Sequence, residues 1–199
     1  MSTALFLVRH GQTIWHAENR YAGVSDVALT DTGREQAERL GGWAAGAKLD
    51  AVWCSPLGRT RVTAEPAARA AGCVPRVDGE LAEVDFGVAE GRTLAELPPA
   101  AVAAFRADPV TGAFEGAENP LDAAARGARA LRRIAAEHDE GRVLVVAHNT
   151  LLRLALCELL GIAPGRYRTV FPALRNCALT EIRVDGDATG LLSYNLPAS

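Results

Sequence analysis

Two short, wholly apolar runs, Ala4 to Val8 and Val143 to Ala147, each break off beside a histidine, His10 after Arg9 in the first and His148 in the second. An unbroken apolar run of this length reads as a strand buried on both faces, the kind found in parallel sheets covered by helices. Helical patterns fill the chain between them. Thr30 or Thr32 can cap a first helix, with Glu35 completing a capping box from Thr32, and Ala37, Leu40 and Ala44 then share one face until Gly46 punctuates the end. Ala51 to Cys54 is a second strand stopped by Ser55-Pro56, and a helix follows from Leu57 to Ala71, ending at Gly72, with Pro66 expected to kink or split it. Val74 to Val77 is a weak third strand. Residues 78–120 are irregular around one helix, Leu94 to Arg106. A helix from Leu121 to Glu137 precedes the second histidine strand, and a helix from Thr150 to Leu160, closed by Gly161, follows it. Ala178 to Val184 and Leu191 to Leu196 make a last pair of strands around Asp185-Gly186-Asp187. Strands alternating with helices predict an α/β fold with a mainly parallel sheet.

The chain has 199 residues, 49% of them hydrophobic and 23% charged, which suits one domain over 1–199 with a real core. A net charge of −3 argues against a nucleic-acid or anionic-membrane binder while leaving room for a local basic pocket. No run is long enough to cross a bilayer, and the N-terminus has no basic region of a signal peptide. Cys54, Cys73, Cys157 and Cys177 form no C-x-x-C pair and read as reduced thiols, so the expected location is the cytoplasm. Lys48 is the only lysine and sits in a loop-like stretch, which disfavours Schiff-base chemistry. No G-x-G-x-x-G follows the first strand and no Walker pattern occurs.

In a parallel α/β sheet, ligands bind outside the carboxyl ends of the strands. His10 and His148 stand at two such ends, so central neighbouring strands would aim both imidazoles into one crevice. Arg9 lies beside His10, and Arg59 and Arg61 open the helix after the second strand, whose free backbone N–H groups also favour an anion. Arg153, one turn into the helix after His148, reads as structural or supporting. Histidine, arginine and a carboxylic acid suffice for phosphoryl transfer: neutral imidazole attacks phosphorus, guanidiniums offset charge, and the acid protonates the leaving oxygen. Glu80, Glu83, Asp85 and Glu90 are all candidates for that acid, and the pattern does not choose among them.

Leu7-Val8-Arg9-His10-Gly11-Gln12-Thr13 resembles the opening motif of the histidine phosphatase superfamily, the phosphoglycerate-mutase-like group. In the same order follow Leu29 to Ala37, Ser55 to Ala64, Leu81 to Gly87, and Val145-Val146-Ala147-His148 with Leu152-Arg153, so the resemblance spans most of the chain. It implies a three-layer α/β/α sandwich with a lid region over roughly 84–142. It implies that His10 is the residue phosphorylated, that Arg9, Arg59 and His148 grip the phosphoryl group, and that Glu83 is the proton donor. It also implies that no metal or cofactor is needed. Gly11, Thr13, His16, Gly23, Arg61 and Asn149 are expected to complete the phosphate and substrate contacts.

Four positions depart from the family pattern. His16 stands after Trp15 where Asn is usual, and its charge would follow pH. Asn149 replaces a Gly after the second histidine. Ala89 replaces a Trp before Glu90-Gly91, which suggests a roomier or differently shaped pocket. Gly116-Ala117-Glu118-Asn119 only loosely matches a lid motif.

The expected activity is hydrolysis of a small phosphorylated metabolite. The nearest alternative is a phosphoglycerate mutase, which needs extra covering segments and a longer tail to keep water from its phosphohistidine. A non-catalytic phospholigand module on the same fold would not need the His10, Glu83, His148 set. A homodimer is compatible with the sequence. His138 reads as a solvated helix end.

Overall fold

A computed structural model describes residues 2–198. Its centre is a six-stranded sheet of order β3-β2-β4-β1-β5-β6, formed by β1 (Thr3–Arg9), β2 (Ala51–Cys54), β3 (Arg76–Val77), β4 (Arg142–Ala147), β5 (Leu179–Asp185) and β6 (Ala188–Leu196). β1, β2, β3 and β4 run parallel, β5 is antiparallel to β1, and β6 is antiparallel to β5. The mainly parallel α/β/α fold read from the sequence is the fold observed.

Period-two alternation splits the central strands between two cores. Phe6, Val8, Val52, Cys54, Leu144 and Val146 face α1 (Asp31–Ala47) and α2 (Gly58–Ala70). Leu5, Leu7, Trp53, Val143 and Val145 face the opposite layer, where α4 (Pro120–Glu137) and α5 (Asn149–Leu159) pack, with the short α3 (Pro99–Ala107) beyond them and α6 (Tyr167–Val170) against α5. Small residues let α4 and α5 approach closely: a Cβ added at Gly127 would lie 3.0 Å from side-chain atoms of both Ala155 and Leu151.

Several local expectations are corrected. Thr30, not Thr32, caps α1 by accepting the Gly33 N–H, and the chain leaves the helix at left-handed Lys48 (φ 51°) rather than at Gly46. Pro66 does not split α2. Its ring packs on Gly41 of α1, where an added Cβ would come within 2.9 Å of the proline Cβ, so interhelical packing holds the turn that lacks an N–H. The helix expected from Leu94 to Arg106 is a 3-10 turn, Leu94–Glu96, then α3, because Leu97 is extended before Pro98 and Pro99. The third strand shrinks to Arg76–Val77 behind Pro75. His138 is half-buried, and its Nε2 accepts the Trp53 indole N–H at 3.2 Å. α4 belongs to the sheet layer, so the irregular covering segment ends at Asn119, which caps α4 by accepting the Leu121 N–H. Among the described residues no helix is long and apolar enough to cross a membrane.

Candidate active site

β1 and β4 are adjacent, parallel, and in register with Arg9 opposite Ala147. The residues that follow, His10 and His148, therefore leave the sheet side by side, and the His10 N–H donates to the Ala147 carbonyl at 3.1 Å. Their ring centroids lie 5.3 Å apart. The expectation that two strand-end histidines share one crevice follows directly from this register.

His10 is held from behind. Its Nδ1–H donates to the Gly11 carbonyl at 2.8 Å, which fixes the tautomer and leaves the lone pair on Nε2. Gly11 itself points away from the cleft: its N–H donates to Thr63 Oγ1, and a Cβ there would meet the Gly33 carbonyl at 2.5 Å. Burial pushes the His10 pKa well below its usual value, and the neighbouring guanidiniums of Arg9 and Arg59 push it further, so the ring is neutral at physiological pH. His148 is fully buried and shifted the same way, by desolvation first and Arg59 next. His148 Nε2 lies 2.8 Å from Ser55 Oγ; with the hydroxyl donating, the proton of the neutral ring sits on Nδ1.

The two arginines expected to grip the phosphoryl group are anchored by their tips. Arg59 donates from its Nη atoms to the carbonyls of Ser25, Ala22 and Gly23, and Arg9 donates from Nη1 to the Leu174 carbonyl at 2.9 Å. The Nε of Arg9, the Nε of Arg59 and the Nδ1 of His148 are each buried with no hydrogen-bond partner. Orphaned buried donors are costly, roughly 1–3 kcal/mol each, and three of them belong to residues expected to hold one phosphoryl group.

Glu83 is buried, and its carboxylate lies at the N-terminus of α5. Oε1 accepts the N–H groups of Val84 and Leu151, and Oε2 accepts that of Thr150. Glu83 lines the same cleft as Arg9 and His10, whereas Asp85 Oδ1 is taken by the Gly87 N–H and Glu90 reaches back to the 23–25 loop. The Glu80 carboxylate pairs with Arg129 and Arg133 outside the cleft.

Thr13, His16 and Asn149 also line the cleft. His16 Nδ1 faces the Thr13 N–H (3.0 Å) and hydroxyl (2.8 Å), while Nε2 faces an Arg9 Nη (2.7 Å) and the Asn176 amide (3.4 Å). Burial and Arg9 lower its pKa to about 4, so its charge does not change near neutral pH as the sequence reading expected.

Gly23 and Arg61 are not brought to the cleft. The Gly23 N–H is taken by Glu90 at 2.8 Å while its carbonyl anchors Arg59, so it acts through that arginine. Arg61 is exposed: two residues past Arg59 is about 200° of helical rotation, which turns it to the outside of α2. Ala89 is fully buried and is not among the residues lining the cleft. The sequence reading missed Ser55 and Thr63 as hydrogen-bond partners, and Asn176, whose amide donates to the His10 carbonyl at 2.7 Å. Arg153, read as supporting, is buried and lines the cleft. Among the described residues no group of three or more His, Cys, Asp or Glu side chains could hold a metal ion.

The cleft has a volume of about 1000 Å³, large enough for a metabolite-sized ligand. A donor-rich cleft at the carboxyl ends of parallel strands defines an α/β enzyme that handles phosphate esters. More particularly, the family model of the histidine phosphatase superfamily (branch 1) matches residues 5–197, and the chain belongs to that family. A relative from Erwinia tasmaniensis named "Probable phosphoglycerate mutase GpmB" is 35% identical over 182 residues, covering 89% of this chain and 83% of that protein. Among solved structures, YhfR of Bacillus stearothermophilus superposes with a TM-score of 0.91 at 29% identity, covering 98% of this chain and 97% of its own. A mycobacterial glucosyl-3-phosphoglycerate phosphatase superposes with a TM-score of 0.89 at 27% identity, covering 98% of this chain and all (100%) of its own.

Proposed function

We propose that the chain hydrolyses small-molecule phosphomonoesters through a phosphohistidine on His10. The observation that carries this reading is the posture of His10: Nδ1–H is tied to the Gly11 carbonyl, and Nε2 is free in a ring kept neutral by burial beside two guanidiniums. Attack by Nε2 forms the N–P bond as the ester P–O bond breaks, and the departing oxygen takes its proton from Glu83. Water then attacks phosphorus, Glu83 takes the water proton, and the P–N electron pair returns to Nε2. Inorganic phosphate and neutral His10 result. Arg9, Arg59 and the Nδ1–H of His148 supply the donors for the equatorial oxygens, with Thr13, His16 and Asn149 at the rim of the same group. Gly11 and Gly23 serve through His10 and Arg59.

The name carried by the GpmB relatives favours a second reading, a phosphoglycerate mutase. A mutase must shield its phosphohistidine from water, and a cleft of about 1000 Å³ open at its mouth favours hydrolysis instead.

The test is rapid quench with a radiolabelled phosphomonoester. Acid-labile, base-stable label should be trapped on His10, with release of inorganic phosphate exceeding exchange between phosphoglycerates. Normal turnover in His10→Ala would end this mechanism, and exchange faster than hydrolysis would turn the reading to a mutase.

A further inference from the structure

Several arginines on this protein are matched by a carboxylate: Arg20 by Glu18 and Glu96, Arg69 by Glu38, Arg126 by Glu118, Arg133 by Asp78. Three arginines lining the cleft besides Arg9 are not, and one of these, Arg175, donates to the Asn195 carbonyl instead. Arg153 and Arg168 form no ion pair among the described residues.

Both lie over aromatic rings. The Arg153 guanidinium lies 4.8 Å from the Tyr167 ring centroid, and that of Arg168 lies 5.1 Å from the Phe105 centroid. Stacking of this kind leaves the planar edge of a guanidinium free to meet an acceptor. Arg153 is pinned, with Nε donating to the Asn149 carbonyl at 3.0 Å and Nη1 to that of Phe171 at 3.2 Å. Its Nη2 has no hydrogen-bond partner and is not among the atoms sealed from solvent. Arg168 has no hydrogen bond among the described residues, and the hydroxyls of Tyr21 and Tyr167 also lack one. Burial pushes the Tyr167 phenol up to about 12 and raises Tyr21, so both hydroxyls stay protonated as donors.

These four side chains line one cleft and act on one another electrostatically. Arg153 and Glu83 both engage the first turn of α5, Arg153 at the Asn149 carbonyl and Glu83 at the Thr150 and Leu151 N–H groups, which puts the group on the side of the proposed proton donor. A neutral polyol could satisfy the hydroxyls but would leave the buried Arg153 guanidinium without a counter-charge. We infer that Tyr21, Arg153, Tyr167 and Arg168 form a subsite for a second anionic group, a carboxylate or a further phosphate, carried by the leaving alcohol of the substrate. The inference rests on the phosphatase reading above.

The test compares kcat/KM for 3-phosphoglycerate and propane-1,3-diol bisphosphate with that for glycerol 3-phosphate, which lacks the second charge, using p-nitrophenyl phosphate as reference. Wild type should favour one of the two doubly anionic substrates by about tenfold or more, the scale of one charge-assisted hydrogen bond. Whichever is favoured identifies the anion. Arg168 is exposed on a short helix, so Arg168→Ala should fold. It should lose most of that preference through KM while leaving p-nitrophenyl phosphate turnover unchanged, and Arg168→Lys should restore part of it. Equal kcat/KM across the substrates in wild type, or a preference untouched in both Arg168→Ala and Tyr21→Phe, would overturn the subsite while the phosphatase reading stands. Failure to turn over any ester, p-nitrophenyl phosphate included, would remove both.

Discussion

Replacing Glu83 by Gln separates two effects that the structure predicts together. The carboxylate accepts three backbone N–H groups, two at Oε1 and one at Oε2. A glutamine can keep its carbonyl toward Val84 and Leu151, but its NH₂ then faces the Thr150 N–H, so one charge-assisted bond becomes a donor–donor contact. That costs about 1.5–3 kcal/mol of stability, read as a fall in the denaturant midpoint at unchanged slope. The chemical effect depends on the leaving group. p-Nitrophenolate departs with little protonation, so phosphorylation of His10 by p-nitrophenyl phosphate should be nearly normal. An alkyl phosphate has a far more basic leaving oxygen, and its phosphorylation should slow by about 10²-fold or more, the scale of general-acid catalysis. Dephosphorylation should slow equally for both, since they share one intermediate. Single-turnover quench separates the steps. A structural disturbance alone would slow both esters alike, and that result would refute the assignment. Asp85→Asn is the control: its Oδ1 caps the Gly87 N–H, so it should show no leaving-group dependence. If the dependence appears there instead, the acid is Asp85.

Two further outcomes follow from the charges in the cleft. In the proposed mechanism the Arg9 and Arg59 guanidiniums supply the phosphate's counter-charge, so EDTA should leave activity unchanged; loss in EDTA restored by Mg²⁺ or Zn²⁺ would require a different mechanism. His16 has its pKa lowered from 6.5 to about 4, so between those values the unfolded chain binds a proton that the fold does not, and stability should fall as pH drops through that window. His16→Asn should flatten that fall by less than one proton's worth, because part of the ring is exposed and screened, and an unchanged stability–pH slope from urea titrations would count against a neutral His16.

The parts of the fold that were legible in the sequence are those with a local cause. Continuous apolar runs announced β1, β2 and β4 because both faces of a central parallel strand are buried. The pairing of His10 with His148 was legible as soon as both were placed at carboxyl ends, since adjacency and register do the rest. Arg61 was misjudged although helix geometry alone could have separated it from Arg59, one facing in and one out. What stayed hidden was carried by contacts far apart in sequence. Asn176 meets the His10 carbonyl across 166 residues, and Ser55 meets His148 across 93, with nothing local to mark either. The unbroken course of α2 through Pro66 depended on a glycine in a different helix.

The same arrangement that makes this cleft costly when empty accounts for its appetite for an anion. A neutral imidazole has one donor and one acceptor nitrogen. If His16 Nε2 accepts from Arg9, its Nδ1–H can donate to the Thr13 hydroxyl, but the Thr13 N–H is then left without an acceptor. If Nδ1 accepts from Thr13 instead, the Arg9 guanidinium loses its partner. Either tautomer strands a donor, in addition to the orphaned Arg9 Nε, Arg59 Nε and His148 Nδ1. The anchors of Arg9 and Arg59 on backbone carbonyls hold those donors in place. A ligand rich in acceptors satisfies them, and the three equatorial oxygens of a phosphoryl group offer several lone pairs each. In the proposed mechanism those oxygens carry the most charge during transfer, so donors without a protein partner at rest would be the ones that stabilise the transition state.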